Sequence, residues 1–190
     1  MTSKRTLQRE ASAQGMVDAA LSLFAEQGYD RTSIRQIAER AGVSLGLLYN
    51  YYKSKEDLLK DILVKGRQDI LTSFEKPEGL TGFAYLEHYI RTTFQVLEQN
   101  KNFWRLYHSL KLQSEVLKAL EQEVQAENQL VLLQLTQNLA AAGSTSPSAE
   151  AVLMFATIDG IAQHYLMLPN YPLQDVIIRY IVQLKNHLAS

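Results

Sequence analysis

The sequence predicts an all-α protein, and three observations carry that prediction. Apolar residues recur at three- and four-residue intervals along nearly the whole chain. No stretch alternates at period two for long enough to propose a sheet. Glycine, proline and short polar clusters stand where the apolar stripes end. The elements follow in order. Val17, Ala20, Leu21 and Phe24 form one stripe, and Gly28 comes where a left-handed residue stops a helix, which gives a first helix over about 11–27. Thr32 and Ser33 are N-cap types for a short second helix, whose stripe of Ile34, Ile37, Ala38 and Ala41 ends at Gly42. Ser44 caps a third helix through Tyr51 or Tyr52. Ser54, with Glu56 and Asp57 at the positive end of the next helix, opens a long fourth one that runs towards Phe74 and stops at Pro77.

Beyond Pro77, helical patterns lie at about 81–98, 103–113, 115–142, 148–168 and 173–188, separated by short polar loops such as 99–102 and 143–148. Pro147 and Pro172 each stand where a first-turn proline is tolerated. The last two helices are apolar on more than one face: Ala151, Val152, Leu153, Phe155, Ile158, Ile161 and Leu166 in one, Val176, Ile177, Ile178, Ile181, Val182 and Leu184 in the other. Such helices need cover on more than one side, and a second copy of the chain would supply it.

Composition narrows the function classes. The chain has 190 residues, 46% hydrophobic and 21% charged, with a net charge of -1, which excludes the signature of a disordered chain and allows one domain, or a small one joined to a larger. It has no cysteine, so disulfides, thiolate metal sites and cysteine nucleophiles are excluded. No apolar stretch follows the basic residues of the N-terminus, and no segment approaches the roughly 18 unbroken apolar residues of a membrane span. A cytoplasmic location, with no membrane partner, is the default expectation. Charge is uneven: residues 1–67 carry eleven Lys and Arg against eight Asp and Glu, net +3, and the rest carry eight against twelve, net -4. The basic half is the N-terminal one, where nucleic acid is the partner to test for.

Residues 33–52 have the arrangement of a helix-turn-helix: short helix, turn with glycine, short helix. In that unit the first helix crosses the phosphate backbone and the start of the second enters the major groove. Here the turn is Ala41-Gly42-Val43-Ser44. Gly42 permits the bend, Val43 can plug the space between the helices, and Ile37, Ala38 and Leu48 can pack them together. Periodicity alone fits a plain helical hairpin equally well.

The wording of the segment goes further. Residues 32–58, TSIRQIAERAGVSLGLLYNYYKSKEDL, together with Ala19 to Tyr29, closely resemble the N-terminal DNA-binding region of the TetR family of bacterial transcriptional regulators. The resemblance runs from residue 19 to residue 58. It implies a three-helix DNA-binding domain with a helix-turn-helix over residues 1–54, including a basic arm at 1–10, followed by a helical ligand-binding and dimerisation domain over 55–190. On this basis Thr32, Ser33 and Arg35 are expected at phosphates, Ser44 at the cap of the reading helix, and Tyr49 and Tyr51 at the backbone. Tyr52 takes a place usually held by a buried phenylalanine and reads as core. Lys55 matches a lysine that family members set on phosphate. Base reading falls to Leu45, Gly46, Leu47 and Asn50. The commoner family wording has a basic residue and a threonine where this chain has Leu45 and Leu47. Leucines cannot hydrogen-bond guanine or adenine but can pack on thymine methyls, which leads to an expected A·T-rich site. Lys4, Arg5 and Arg9 resemble a disordered basic arm following phosphates or a minor groove.

The resemblance further implies a homodimer through the last two helices, a palindromic double-stranded operator, and repression relieved by a small-molecule effector. A mainly apolar or aromatic effector fits the candidate pocket residues Tyr85, His88, Tyr89, Phe103, Trp104, Tyr107, His108, Met154, Phe155, Asp159, His164, Tyr165 and Met167. Aromatics and methionines at helical spacing are equally the material of a plain core. No cofactor, metal site or enzymatic activity is expected, because the histidines lack paired ligands or acidic partners and no phosphate-binding loop or His-Glu-x-x-His is present. The alternatives are a helical interaction protein that no longer reads DNA, and a regulator controlled by a protein partner without a small-molecule pocket.

Overall fold

The structure, a computed structural model, describes residues 4–73, 79–110 and 121–189. Among the described residues there are nine helices and no strand: α1 (Lys4–Gln27), α2 (Ile34–Arg40), α3 (Leu45–Tyr51), α4 (Lys55–Ser73), α5 (Gly82–Gln99), α6 (Lys101–Leu110), α7 (Glu121–Ala141), α8 (Pro147–Met167) and α9 (Leu173–Leu188).

The main departure from the sequence reading is at the start. α1 begins at Lys4, so the stretch read as a disordered arm is helical from that residue on. The physical reason is that nothing between Lys4 and Gln14 breaks a helix, and Leu7, Gln8, Arg9, Glu10 and Ala11 are good helix formers. Pro172 is the N-cap of α9, with φ -79°, and lies just outside the first turn, whereas Pro147 is in the first turn of α8. The expected stop at Pro77 and the expected boundary near 113–115 lie outside the described residues.

The chain forms two compact units. The first comprises residues 1–69 and 102–118, the second 70–101 and 119–190. The division thus falls inside α4, where the sequence reading put it at residue 54. In the first unit, Met16, Ala20 and Phe24 of α1, Ile37 of α2, Leu48 of α3 and Leu58, Leu59, Ile62 and Leu63 of α4 are buried, as are Phe103, Leu106 and Leu110 of α6. Fully burying a side chain of this size stabilises by about 1.5–3 kcal/mol. Phe103 lies so close to α4 that a Cβ at Gly66 would overlap its ring, so any side chain there would force the ring to shift.

In the second unit α7 packs on both α5 and α8, while α9 packs on α5 and α8. The start of α5 gains no side-chain cap from Thr81. Instead the buried Asn138 of α7 accepts from the Gly82 N–H at 3.0 Å and donates to the Gln134 carbonyl at 2.8 Å. α8 and α9 bury one stripe each, Ala151, Met154 and Ile158 in α8 and Leu173, Ile177 and Ile181 in α9. Their other faces keep large apolar side chains in the open: Val152, Leu153, Met167 and Leu168, and Ile178 and Val182, with Leu153 67% and Met167 71% exposed.

Candidate nucleic-acid interface

Local chemistry fixes both ends of the helix-turn-helix. Ser33 is the N-cap of α2, and with Gln36 it closes a capping box: the Ser33 N–H donates to Gln36 Oε1 at 2.8 Å and the Gln36 N–H donates to Ser33 Oγ at 3.3 Å. The turn passes through Gly42 at φ 66°, a conformation in which a side chain is strained. Ser44 then caps α3 by accepting from the Leu47 N–H at 3.1 Å. Leu48 is the residue of α3 that is wholly buried, so Leu45, Gly46, Leu47, Tyr49 and Asn50 lie on its open side, Leu45 partly covered and the others exposed. Arg35 is exposed on α2.

Thr32 does not behave as expected of a phosphate contact. It is buried, and its hydroxyl donates to the Gly28 carbonyl at 2.8 Å while accepting from Gln27 at 3.1 Å. Its side chain closes the end of α1, and the capping role falls to Ser33 alone. Tyr52 is core, as read, with its hydroxyl donating to Asp61 at 2.7 Å. Burial, followed by that carboxylate, raises its pKa well above the usual phenol range.

Lys55 is more deeply engaged than a free surface lysine. Its ammonium donates to the carbonyls of Tyr29 at 2.9 Å and Thr32 at 3.0 Å, and it stands 4.1 Å from the centre of the Tyr29 ring. An ammonium has three donors, and the two carbonyls take two of them. The same tyrosine donates its hydroxyl to Glu56 at 3.0 Å. The Glu56 carboxyl is held below its ordinary pKa, first by its own backbone N–H at the helix start and next by that hydroxyl. Lys55 and Glu56 thereby pin the 29–32 loop, and with it the start of α2, to the start of α4. A second tie joins α1 to α2: Arg40 makes a two-pronged pair with Glu26, at 3.2 and 3.1 Å, and Ser22 donates to the same carboxylate at 2.7 Å. The sequence reading missed this tie, because no local signal couples positions eighteen and fourteen residues apart. It also missed the contact of Arg9 with Tyr51, where the guanidinium carbon lies 5.6 Å from the ring centre.

The effector candidates sort into separate groups. In the first unit, Phe103, Trp104, Tyr107 and His108 form a continuous row of ring contacts along α6, with centroid separations of 5.7–6.2 Å. Phe103 is buried, and the Trp104 indole N–H is buried without an acceptor among the described residues. In the second unit, Tyr85 and Tyr89 stack at 6.4 Å, and Tyr85 donates to Gln134 at 2.6 Å. Burial pushes the Tyr89 phenol up to about 12. His88 meets Thr92 at 3.3 Å, and Tyr165 lies beneath the Lys101 ammonium at 4.3 Å. Phe155 and Asp159 are partly covered on α8, and Met154 is buried in its core stripe. His164 and Met167 are exposed, so they fall on the outward face of α8 and line no interior; the helical period sets His164 opposite Leu166 and Met167 opposite Ile158.

Comparison with known proteins places this geometry. The family model described as "Bacterial regulatory proteins, tetR family" matches residues 16–62. The repressor KstR2 of Rhodococcus jostii (strain RHA1) is 31% identical over 94 residues, 48% of this chain and 46% of that protein. The chain therefore spans under half the length of the curated relatives it matches first. Solved structures agree over nearly the whole fold. A TetR-like transcriptional regulator from Rhodococcus sp. RHA1 has a TM-score of 0.77 at 19% identity, covering 94% of this chain and 96% of that one. The regulator FadR from Bacillus subtilis, solved in complex with stearoyl-CoA, has a TM-score of 0.71 at 24% identity, covering 90% and 96%. The comparisons lead to one assignment: residues 16–62 are a segment of the tetR family of bacterial regulatory proteins, and the chain shares its fold with solved TetR-like regulators.

Proposed function

We propose that the chain is a transcriptional regulator, by default a repressor, that binds a palindromic operator as a homodimer and is released by a small-molecule effector. The observation that carries this reading is the capped helix-turn-helix, with Leu47, Tyr49 and Asn50 exposed on α3 and a core residue, Leu48, behind them. Ser33, Arg35, Tyr49, Tyr51 and Lys55 serve the phosphates. Leu45 and Leu47 pack on thymine methyls, and Asn50 pairs with adenine. The exposed apolar faces of α8 and α9 meet their copies in a second chain. Such a two-fold pair sets two reading helices at half-sites roughly 34 Å apart. No helix of the described residues is long and apolar enough to cross a membrane, and the family match is to regulatory proteins, which supports a binding role over an enzymatic one.

The effector is mainly apolar or aromatic and engages the α6 row. Trp104 is the single tryptophan of the chain, and its buried indole N–H lacks an acceptor among the described residues, so a carbonyl or carboxylate carried by an apolar body would complete it. FadR from Bacillus subtilis was solved with stearoyl-CoA, which makes long-chain acyl thioesters the first probes. The experiment is selection from random duplex DNA, followed by titration of the selected duplex with and without stearoyl-CoA while Trp104 fluorescence is followed. Recovery of an A·T-rich palindrome supports the regulator, and its release with a fluorescence change supports the effector class. A selection without enrichment overturns the first, and a G·C-only core under α3 overturns the base-reading assignment.

A further inference from the structure

Among the described residues, the basic side chain that the extension of α1 sets against the reading helix is Arg9. The buried stripe of α1 runs through Phe24, Ala20, Val17 and Met16, and Ala13 continues it partly covered. One more turn back along the same line is position 9. Because α1 continues to Lys4 without a break, it overshoots the core by about two turns. Arg9 therefore comes to lie beyond the edge of the core, with its guanidinium 5.6 Å from the centre of the Tyr51 ring at the last turn of α3. This separation is within the range of a cation–π contact. A guanidinium carries five N–H donors around its edge, and a ring contact at this distance leaves donors there to pair with a phosphate. The Arg9 side chain is exposed and Tyr51 half-buried, so the pair is open to solvent on one side and held on the other.

We propose that Arg9 is a DNA-backbone contact, presented by α1 and held in position by the ring of Tyr51, so that guanidinium edge and phenol hydroxyl grip one stretch of phosphate beside α3. The inference rests on the DNA-binding reading above and assigns Arg9 a fixed place in that interface. Tyr51 gains a second role from it, since the ring seats Arg9 whether or not its hydroxyl reaches DNA.

The test uses the full-length chain and a mixed-sequence linear duplex, with affinity measured across a series of salt concentrations. Each phosphate that loses its Lys or Arg partner lowers the slope of log affinity against log salt by about one, whereas a neutral hydroxyl contact releases no counterion and leaves the slope unchanged. Arg9→Ala and Arg9→Gln are expected to lower it by that amount with helix content and melting unchanged, since the residue is exposed. Tyr51→Phe keeps the ring and is expected to keep the slope, whereas Tyr51→Leu loses the seat, so that adding Arg9→Ala to it changes little more. A salt-dependent wild type whose slope is unmoved by Arg9→Ala overturns the proposal and leaves the DNA-binding reading standing. An equal effect of Arg9→Ala in the wild-type and Tyr51→Leu backgrounds overturns the seat. A wild type without salt-dependent binding overturns the DNA-binding reading itself.

Discussion

Lys55 donates to two carbonyls of its own chain, at 2.9 and 3.0 Å, before any DNA arrives. Its replacement therefore has two separable consequences. Lys55→Ala leaves the Tyr29 and Thr32 carbonyls without this donor, and hydrogen bonds to a charged group contribute about 1.5–3 kcal/mol when intact. Because the ammonium is only part-buried, water offsets some of that. The expected loss in urea unfolding is about 1–2 kcal/mol, together with a lower salt slope on DNA. A lysine acting on phosphate alone would leave unfolding unchanged. The neighbouring Glu56 makes the same loop sensitive to acid. Its folded pKa lies below the ordinary carboxyl value, so its contribution is present above that ordinary value and is lost as pH falls through the lowered one. Glu56→Gln is expected to flatten that part of the acid side of the stability profile, followed by urea midpoints from neutral down to about pH 3. The effect is small, because the group is largely open to solvent.

The helices themselves were legible to different degrees, for a physical reason. Ser33, Gly42, Ser44 and Ser54 act within three or four residues of where they stand, so pattern reading found them; the buried Leu48 followed from the packing of a helix-turn-helix, and the buried Tyr52 from the family resemblance. Long-range partners were not legible. Nothing near Thr32 in sequence says that its hydroxyl turns inward to Gly28, and nothing near Gly66 announces Phe103. The start of α1 was misplaced because its first turns bury no stripe, and an exposed helix leaves no apolar period to read. The Gly66 notch gives the sharpest prediction at this scale. Gly66→Ala puts a methyl where the Phe103 ring already lies, and overpacking of this kind costs about 1–3 kcal/mol. Pairing it with Phe103→Leu is expected to recover part of the loss in thermal unfolding, since the smaller side chain frees the space. Strict additivity of the two changes would mean that the contact carries no energy.

For the whole molecule, the open faces of α8 and α9 carry the proposed pairing of two chains. Leu153 and Met167, fourteen positions and close to four turns apart, lie on one line of α8, and both are mostly exposed. Burying such a face in a two-fold interface removes large apolar side chains from water. Leu153→Glu is expected to turn a dimer into a monomer in sedimentation equilibrium, and to weaken binding to a two-half-site duplex much more than to a single half-site. A dimer that survives both Leu153→Glu and Ile178→Glu would mean that the copies meet elsewhere. The pairing of Gly66 with Phe103 has its own consequence for how this chain can be divided. The unit that contains the helix-turn-helix also includes the segment starting at Asn102, and Phe103, Leu106 and Leu110 are among its buried residues. The reading head is therefore not a contiguous cassette. A chimera cut after residue 54 or 69 would inherit α1 to α3 with an uncovered notch on α4 or none at all, so grafting the proposed DNA-reading unit onto another chain requires transplanting the start of α6 as well.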